Sequence, residues 1–441
     1  MISVYRNQRI DEQVEAVQTG GITATDLAAA VRNDIDRYEP RLQAWVTFVQ
    51  DEARNVQCAD LSSSPLAGVS VGVKDNIDVA GLPTRVGSSV TSAEPAAQDA
   101  HIVSRLKALG AIVQGKTVTT EFSYFSPGPT VNPWAHDHTP GGSSSGSAAA
   151  IGANTIPIAL GTQTAGSLTR PASFCGAAGM VLAVDPDAME GVAGLSETLD
   201  ALGIMTRSVA DLDWVHAALT GRTPGDDSVA DNTSLHVWDG SDLLPIAAEM
   251  QVLLQEIPRL AAEIDADVTN LDWTDHVITL TDDHHVVMGY EAARNMAPIV
   301  VEHEAALSTQ LRTLLKNGKE IPEQSYREAL IRRDISYRAL ERLLGSDGII
   351  IGPAAQGPPN PFSDGTGSPD LSRPWQLLGL PVVIVPGART TSGLRLGLQL
   401  IGLPGSESKL LAVGRRLEAL LRRLPSFAEH MTQPTLKDLT W

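Results

Sequence analysis

Apolar positions recur at two spacings along this 441-residue chain. In "TATDLAAAVRNDIDRYEP", Leu27, Val31 and Ile35 stand on one stripe behind a Thr/Asp start and ahead of Pro40, which predicts a packing helix. The first sixty residues read as helical throughout. From Pro65 the texture changes. "LAGVSVGVKDNIDVAG" alternates β-branched residues between glycines, predicting a strand that emerges into a loop near Asp75, with Lys74 at the point of emergence. Ile102, Val103, Leu106 and Leu109 form a helical stripe that stops at Gly110, and "AIVQG" follows as a short strand. Between 230 and 345 glycine thins out and long amphipathic stretches take over, including "LLPIAAEMQVLLQEIPRLAAEI" and "SYREALIRRDISYRALERLL". "DGIIIGP" and "LPVVIVPG" then restore buried-strand texture. Residues 230–345 therefore read as a helical insertion between sheet-forming parts, and with the loop at 121–138 they are expected to shape a substrate pocket. No internal repeat or long low-complexity tract interrupts this pattern.

Charge narrows the partners. Against 33 Lys and Arg stand 52 Asp and Glu, a net charge of -19 that opposes phosphate backbones and anionic lipid, so neither nucleic acid nor a membrane is expected as a partner. With 43% apolar residues the chain can fill a core. Two cysteines, Cys58 and Cys175, are no disulfide framework and read as partly buried thiols in a reducing compartment. The opening "MISVYRNQRIDEQ" lacks a basic region followed by an apolar one, and the most apolar segment, 148–160, is broken by Asn154 and Pro157. A cytoplasmic monomer or homodimer is expected.

Candidate chemistry starts at "GGSSSGS", residues 141–147. Its "GSSSG" matches the G-x-S-x-G elbow and nominates Ser144 as a nucleophile, with Asp282, His284 and His285 available downstream. An elbow needs a strand before its first glycine, but here stands the loop-like "NPWAHDHTPGG", and 282–285 read as helical. A phosphate cradle lacks the G-K-[ST] ending, and His136, His138, His284 and His285 match no zinc spacing, so no metal is expected. In "ALGTQTAGSLTRPASFCG", small residues let the backbone N–H groups of Thr164, Ala165, Gly166 and Ser167 turn toward one point, as an oxyanion hole requires. From these residues alone Ser167 is either a nucleophile or a serine in a tight turn. Lys74 sharpens the choice. A lysine at the end of an apolar strand loses hydration, which favours its neutral form and lets it accept a proton. The alternative is an ion pair between Lys74 and Asp75.

Taken in order, "GVSVGVKDNIDVAGLPTRVGS", "DAHIVSRLKALGAIVQGKTVTTEF", "NPWAHDHTPGGSSSGSAAA", "GTQTAGSLTRPASFCG", "PWQLLGLPVVIVPG" and "GLQLIG" resemble the blocks of the amidase signature family, over roughly residues 20–425. The resemblance implies an α/β fold, a large mixed β-sheet covered by helices on both faces, formed as one domain over 1–441. It carries the family lysine onto Lys74, the serine of its non-proline cis peptide onto Ser143 and the nucleophile onto Ser167, with Gly142, Ser144, Thr162 and Gln163 in support. Ser143 and Ser167 stand 24 residues apart, similar to the family's spacing. Two departures fall together: Gln163 and Thr169 stand where the family usually has Asp and Arg, and the lone arginine follows at Arg170. Neutral hydrogen bonds are expected to hold the loop instead. "GMVLAV" at 179–184 also replaces the usual G-L-K-P-T.

The implied protein is a serine amidohydrolase without cofactor that cleaves a carbonyl C–N bond of a small non-peptide amide, with carbamate (urethane) or aryl amide substrates and ester side activity open. Lys74 takes a proton through Ser143 from Ser167, which forms an acyl-enzyme. The alternatives are a glutaminase-type subunit of an amidotransferase, an esterase built on Ser144, and a catalytically silent binding protein on the same fold.

Overall fold

The computed structural model describes residues 4–50 and 61–424; Cys58 lies outside them. Eleven strands form one sheet: β1 (Trp45–Phe48), β2 (Ser70–Lys74), β3 (Ile112–Thr117), β4 (Ile158–Gln163), β5 (Ala178–Val181), β6 (Ala201–Thr206), β7 (Ser234–Val237), β8 (Asp267–Asn270), β9 (Gly348–Pro353), β10 (Val382–Arg389) and β11 (Arg395–Ile401). Their spatial order is β1-β3-β2-β4-β6-β5-β10-β11-β9-β7-β8. β2 runs parallel to β3 and β4, and β7 parallel to β8 and β9, while the ladders between β4 and β11 are antiparallel. This is the mixed α/β sheet the blocks imply.

Strands β2 to β6 are buried along their whole length, which only a sheet covered on both faces allows. Strand β10 shows the two coverings. Ile384 packs at Gly179 beside Leu168 and Ala172, from the helix Thr169–Cys175 and its approach, while Val383 and Val385 pack at Gly414 of the helix Glu407–Leu421. Alternate side chains of one strand thus serve opposite layers.

Two expectations change. The first sixty residues are not all helical: after the helices Ile10–Gln18 and Ala24–Leu42 the chain enters β1, antiparallel to β3. The segment 230–345 is not purely helical either, since β7 and β8 lie within it and extend the sheet beyond β9. Both strands are four residues long and β8 is largely exposed, so neither carries an apolar run. The long stretch 243–264 is two helices, Ala248–Gln255 and Ile257–Ala262, whereas Glu323–Leu344 is continuous. No described helix is long and apolar enough to cross a membrane.

Candidate active site

The carboxyl ends of β2 and β4 bring the candidate residues together. Lys74 is the last residue of β2 and is fully buried. Its Nζ lies 2.7 Å from Ser143 Oγ and 2.7 Å from Thr162 Oγ1. The ion pair with Asp75 does not form: Asp75 pairs with Lys116 at 3.1 Å. Burial therefore acts on Lys74 unrelieved by a contacting carboxylate, and lowers its pKa to about 7, opposed only by the more remote charge of Asp200.

"GGSSSGS" sits between this lysine and the loop after β4. The Gly142–Ser143 peptide is cis. Gly141 takes φ +81 with Pro171 against it, and at Gly146 a Cβ would meet Ala44 O at 2.2 Å and Val118 N at 2.4 Å, so only glycine lets these backbones approach. Three of the serines are tied to backbone. Ser144 Oγ donates to Thr162 O at 3.2 Å, Ser145 Oγ to Val118 O at 3.4 Å, and Ser147 Oγ to Leu160 O at 2.8 Å. No strand precedes Gly142, and Ser144 is fully buried at the start of the helix Ser145–Gly152, so the elbow geometry is absent here. Ser143 is the serine of the run that reaches the cavity.

Thr164 to Ser167 bridge β4 and the helix Thr169–Cys175. Ser143, Thr164, Ala165 and Ser167 line one small cavity of about 20 Å3, and Ser144 N donates to Ser167 O at 3.0 Å. The backbone N–H groups of Thr164, Ala165, Gly166 and Ser167 have no protein acceptor among the described residues, because the turn directs them away from the ladder. Gln163 holds the turn: its Oε1 accepts from Leu168 N, Thr169 N and Thr169 Oγ1, each at 3.0 Å. Its Nε2 donates to Gln376 Oε1 at 3.0 Å, and Gln376 Nε2 donates to Gln163 O at 3.2 Å and to Leu199 O at 2.5 Å. Neutral groups thus occupy both ends of what a carboxylate and a guanidinium would span.

Several supports carried no sequence signal. Asp200 is buried, accepts from Thr164 Oγ1 at 2.5 Å, Leu195 N at 2.6 Å and Ser196 N at 2.9 Å, and is pushed up to about 6 by burial. Asn76 Nδ2 donates to Thr162 Oγ1 at 3.0 Å. His284, on the helix Thr274–Asn295, meets the site as neither triad base nor ligand. Arg373, itself paired with Asp370 at 2.8 Å, donates through Nη1 to His284 Nδ1 at 2.8 Å. An arginine can only donate, so Nδ1 carries the lone pair and Nε2–H donates to Thr164 O at 2.8 Å. Burial, then Arg373, holds this imidazole neutral. His136 and Asp282 are exposed at the surface, His138 pairs with Asp137 at 2.7 Å, and no group of three or more metal-ligating side chains occurs among the described residues.

Beyond Tyr124, Phe125 and Met288 the cavity meets an outer one of about 680 Å3, also lined by His285, Leu314 and Ile321. Phe122, Ser123 and Phe125 hold positive φ, a conformation that persists only where surroundings enforce it. Glu121 anchors them, accepting from Ser308 N at 2.9 Å.

Comparison with known proteins follows this geometry. A family model described as Amidase matches residues 26–240. The chain is 29% identical to the putative amidase AmiA2 of Mycobacterium tuberculosis over 95% of each chain. It is 28% identical to a glutamyl-tRNA(Gln) amidotransferase subunit from Halothermothrix orenii, covering 88% of this chain and 91% of that one. A crystal structure of an amidase superposes with TM-score 0.82 at 26% identity, over 94% of this chain and 100% of that one. The fold is shared with 6-aminohexanoate cyclic dimer hydrolase, TM-score 0.84 at 21% identity over 98% and 100% of the two chains. Residues 26–240 thus match the amidase family model, and the fold is that of a solved amidase.

Proposed function

We propose that the protein is a serine amidohydrolase that cleaves the C–N bond of a small amide, or of a carbamate, through an acyl-enzyme on Ser167. The observation that carries this is the buried Lys74 Nζ, with a pKa of about 7, 2.7 Å from the Oγ of Ser143, which lines one cavity with Ser167. Neutral Lys74 accepts the Ser143 proton while Ser143 takes that of Ser167, whose Oγ attacks the carbonyl carbon. The oxyanion is received by N–H groups between Thr164 and Ser167. Collapse of the intermediate breaks the C–N bond, the proton returns by the same path to the departing nitrogen, and water then hydrolyses the ester. Thr162 Oγ1 accepts from Lys74 Nζ and from Asn76 Nδ2, which orients the amine and leaves its lone pair for the Ser143 proton.

His284 is a positioning residue in this reading. In a trans peptide the C=O and N–H point to opposite sides, so fixing Thr164 O fixes the Ala165 N–H on the cavity side. His284→Leu is expected to lower kcat about 10- to 100-fold with little change in KM, a fraction of what loss of an oxyanion donor costs. His284→Gln, which can both donate to Thr164 O and accept from Arg373, is expected to restore most of it in steady-state assays.

A fluorophosphonate is expected to add once per chain, on the peptide carrying Ser167. A label mapped instead to residues 141–147 would overturn this assignment. The relatives named as amidotransferase subunits keep a glutaminase reading in view. Ammonia release from glutamine by the isolated chain, exceeding release from simple amides, would favour it.

A further inference from the structure

The outward face of the helix Glu323–Leu344 is apolar where packing within the chain gives no reason for it. Ile331 and Ile335 lie one helical turn apart and are each 59% exposed. The buried Ala329, Ser336, Leu340 and Leu344 project at least about 120° away from them, at 100° per residue. Single exposed apolar side chains are ordinary, but two on one stripe mark a contact surface. Gln324, Glu328, Arg338 and Arg342 continue that stripe, and all are exposed. From Gln324 to Arg342 its six members follow one another at intervals of 4, 3, 4, 3 and 4 residues. That alternation is the seam of a two-stranded helical coil.

Against an antiparallel copy of itself, related by a two-fold axis level with Arg333, the seam is self-complementary. Ile331 meets Ile335 of the second copy, Glu328 meets Arg338 and Gln324 meets Arg342, because the members of each pair stand equally far from 333. Within one chain Glu328 accepts from Gln324 Nε2 at 2.8 Å, and neither Glu328 nor Arg338 forms an ion pair among the described residues. The second copy supplies the missing charge to both. Beside the seam, Arg327 falls next to Glu341 of the second copy, and Asp334 meets its own copy with each held by Arg333 at 2.8 Å.

The face is also rigid. On its inner side the helix is tied to Thr274–Asn295: Arg332 pairs with Asp283, His276 Nδ1 lies 2.9 Å from Ser336 Oγ, and Tyr326 donates to Glu291 at 2.7 Å. A preformed surface loses little freedom on docking. Two chains of net charge -19 repel one another, and this seam, with two arginines to one glutamate, offsets the repulsion locally. We infer that the protein forms a two-fold homodimer by antiparallel pairing of this helix over residues 324–342. The inference is independent of the reaction at Ser167.

Sedimentation equilibrium of the full chain tests it. Monomer and dimer are expected to exchange with a Kd on the order of 10 µM, since two isoleucines a side place the contact at the small end of specific interfaces. Ile331→Ser/Ile335→Ser is expected to weaken association by on the order of 100-fold or more. Both positions face solvent in one chain, so the thermal midpoint of the dilute protein should not move. Glu328→Arg and Arg338→Glu each set like charges opposite one another twice, and each alone is expected to weaken association at least about 10-fold. An equimolar mixture of these two variants is expected to regain wild-type affinity, because every such contact then joins opposite charges. A parallel pairing or an unregistered apolar contact does not give that rescue. A wild-type chain that is monomeric at about 100 µM, a dimer indifferent to the loss of both isoleucines, or a mixture that associates no better than its components would each overturn the inference.

Discussion

Ser167→Ala is expected to lower kcat on any amide the protein cleaves by on the order of 10^5-fold and to abolish fluorophosphonate labelling, because removing a nucleophile leaves only binding and the oxyanion donors. Binding should survive: the hydroxyl is not among the groups that hold the turn, which depends on Gln163 Oε1 and the Leu168 and Thr169 N–H groups. KM is therefore expected to stay within a few-fold. Ser144→Ala is the contrast. It removes a 3.2 Å hydrogen bond from Ser144 Oγ to Thr162 O, expected to cost about 1 kcal/mol of stability while labelling persists. Labelling rates and denaturant titrations of the two variants check both. Loss of labelling in Ser144→Ala with retention in Ser167→Ala would reverse the roles.

Lys74→Met is expected to lower kcat by at least about 10^3-fold, within the range that removing a general base costs. The side chain is nearly isosteric, so the β2 end should keep its packing. The pH dependence identifies the group. Lys74 acts in its neutral form and burial lowers its pKa to about 7, so it is protonated and idle below that value and active above it. Wild-type kcat/KM should rise tenfold per pH unit on the acid side and level off above about pH 8, one unit beyond the point of half-ionisation. The residual activity of Lys74→Met should lack this step. A wild-type profile that is flat from pH 5 to 9, or that falls through pH 7, would show that Lys74 is not the base.

The sequence carried the buried strands and the local site well, and for a physical reason. Strands β2, β3, β9 and β10 are covered on both faces, so they appear as apolar runs bounded by glycine or proline. β1, β7 and β8 have four residues each, too few for alternation to register, and β8 reads "DVTN". Lys74 stood out because it ends an apolar strand, and the turn at 164–167 because of its small residues. What stayed hidden was held together across long separations. Gln163 and Gln376 are 213 residues apart, Thr164 and His284 are 120 apart, and no spacing along the chain records either contact. His284 drew attention as a base or ligand beside His285, whereas its two nitrogens are taken up by a carbonyl and an arginine. Asp200 offered no motif, since its three partners lie on two loops that meet only in the folded chain.

The Gln163–Gln376 pair has a consequence for working conditions. An ion pair in this place would weaken as counter-ions screen it and would fail when its acid is protonated, taking the oxyanion turn with it. Two interlocked amides have no charge to screen and no proton to gain. The Gln163 clasp should keep its shape in molar salt, so activity on a neutral amide should tolerate ionic strength that would disable a charged clamp. The support of the turn that does titrate in mild acid is Asp200, which accepts from Thr164 Oγ1 and whose pKa burial raises to about 6.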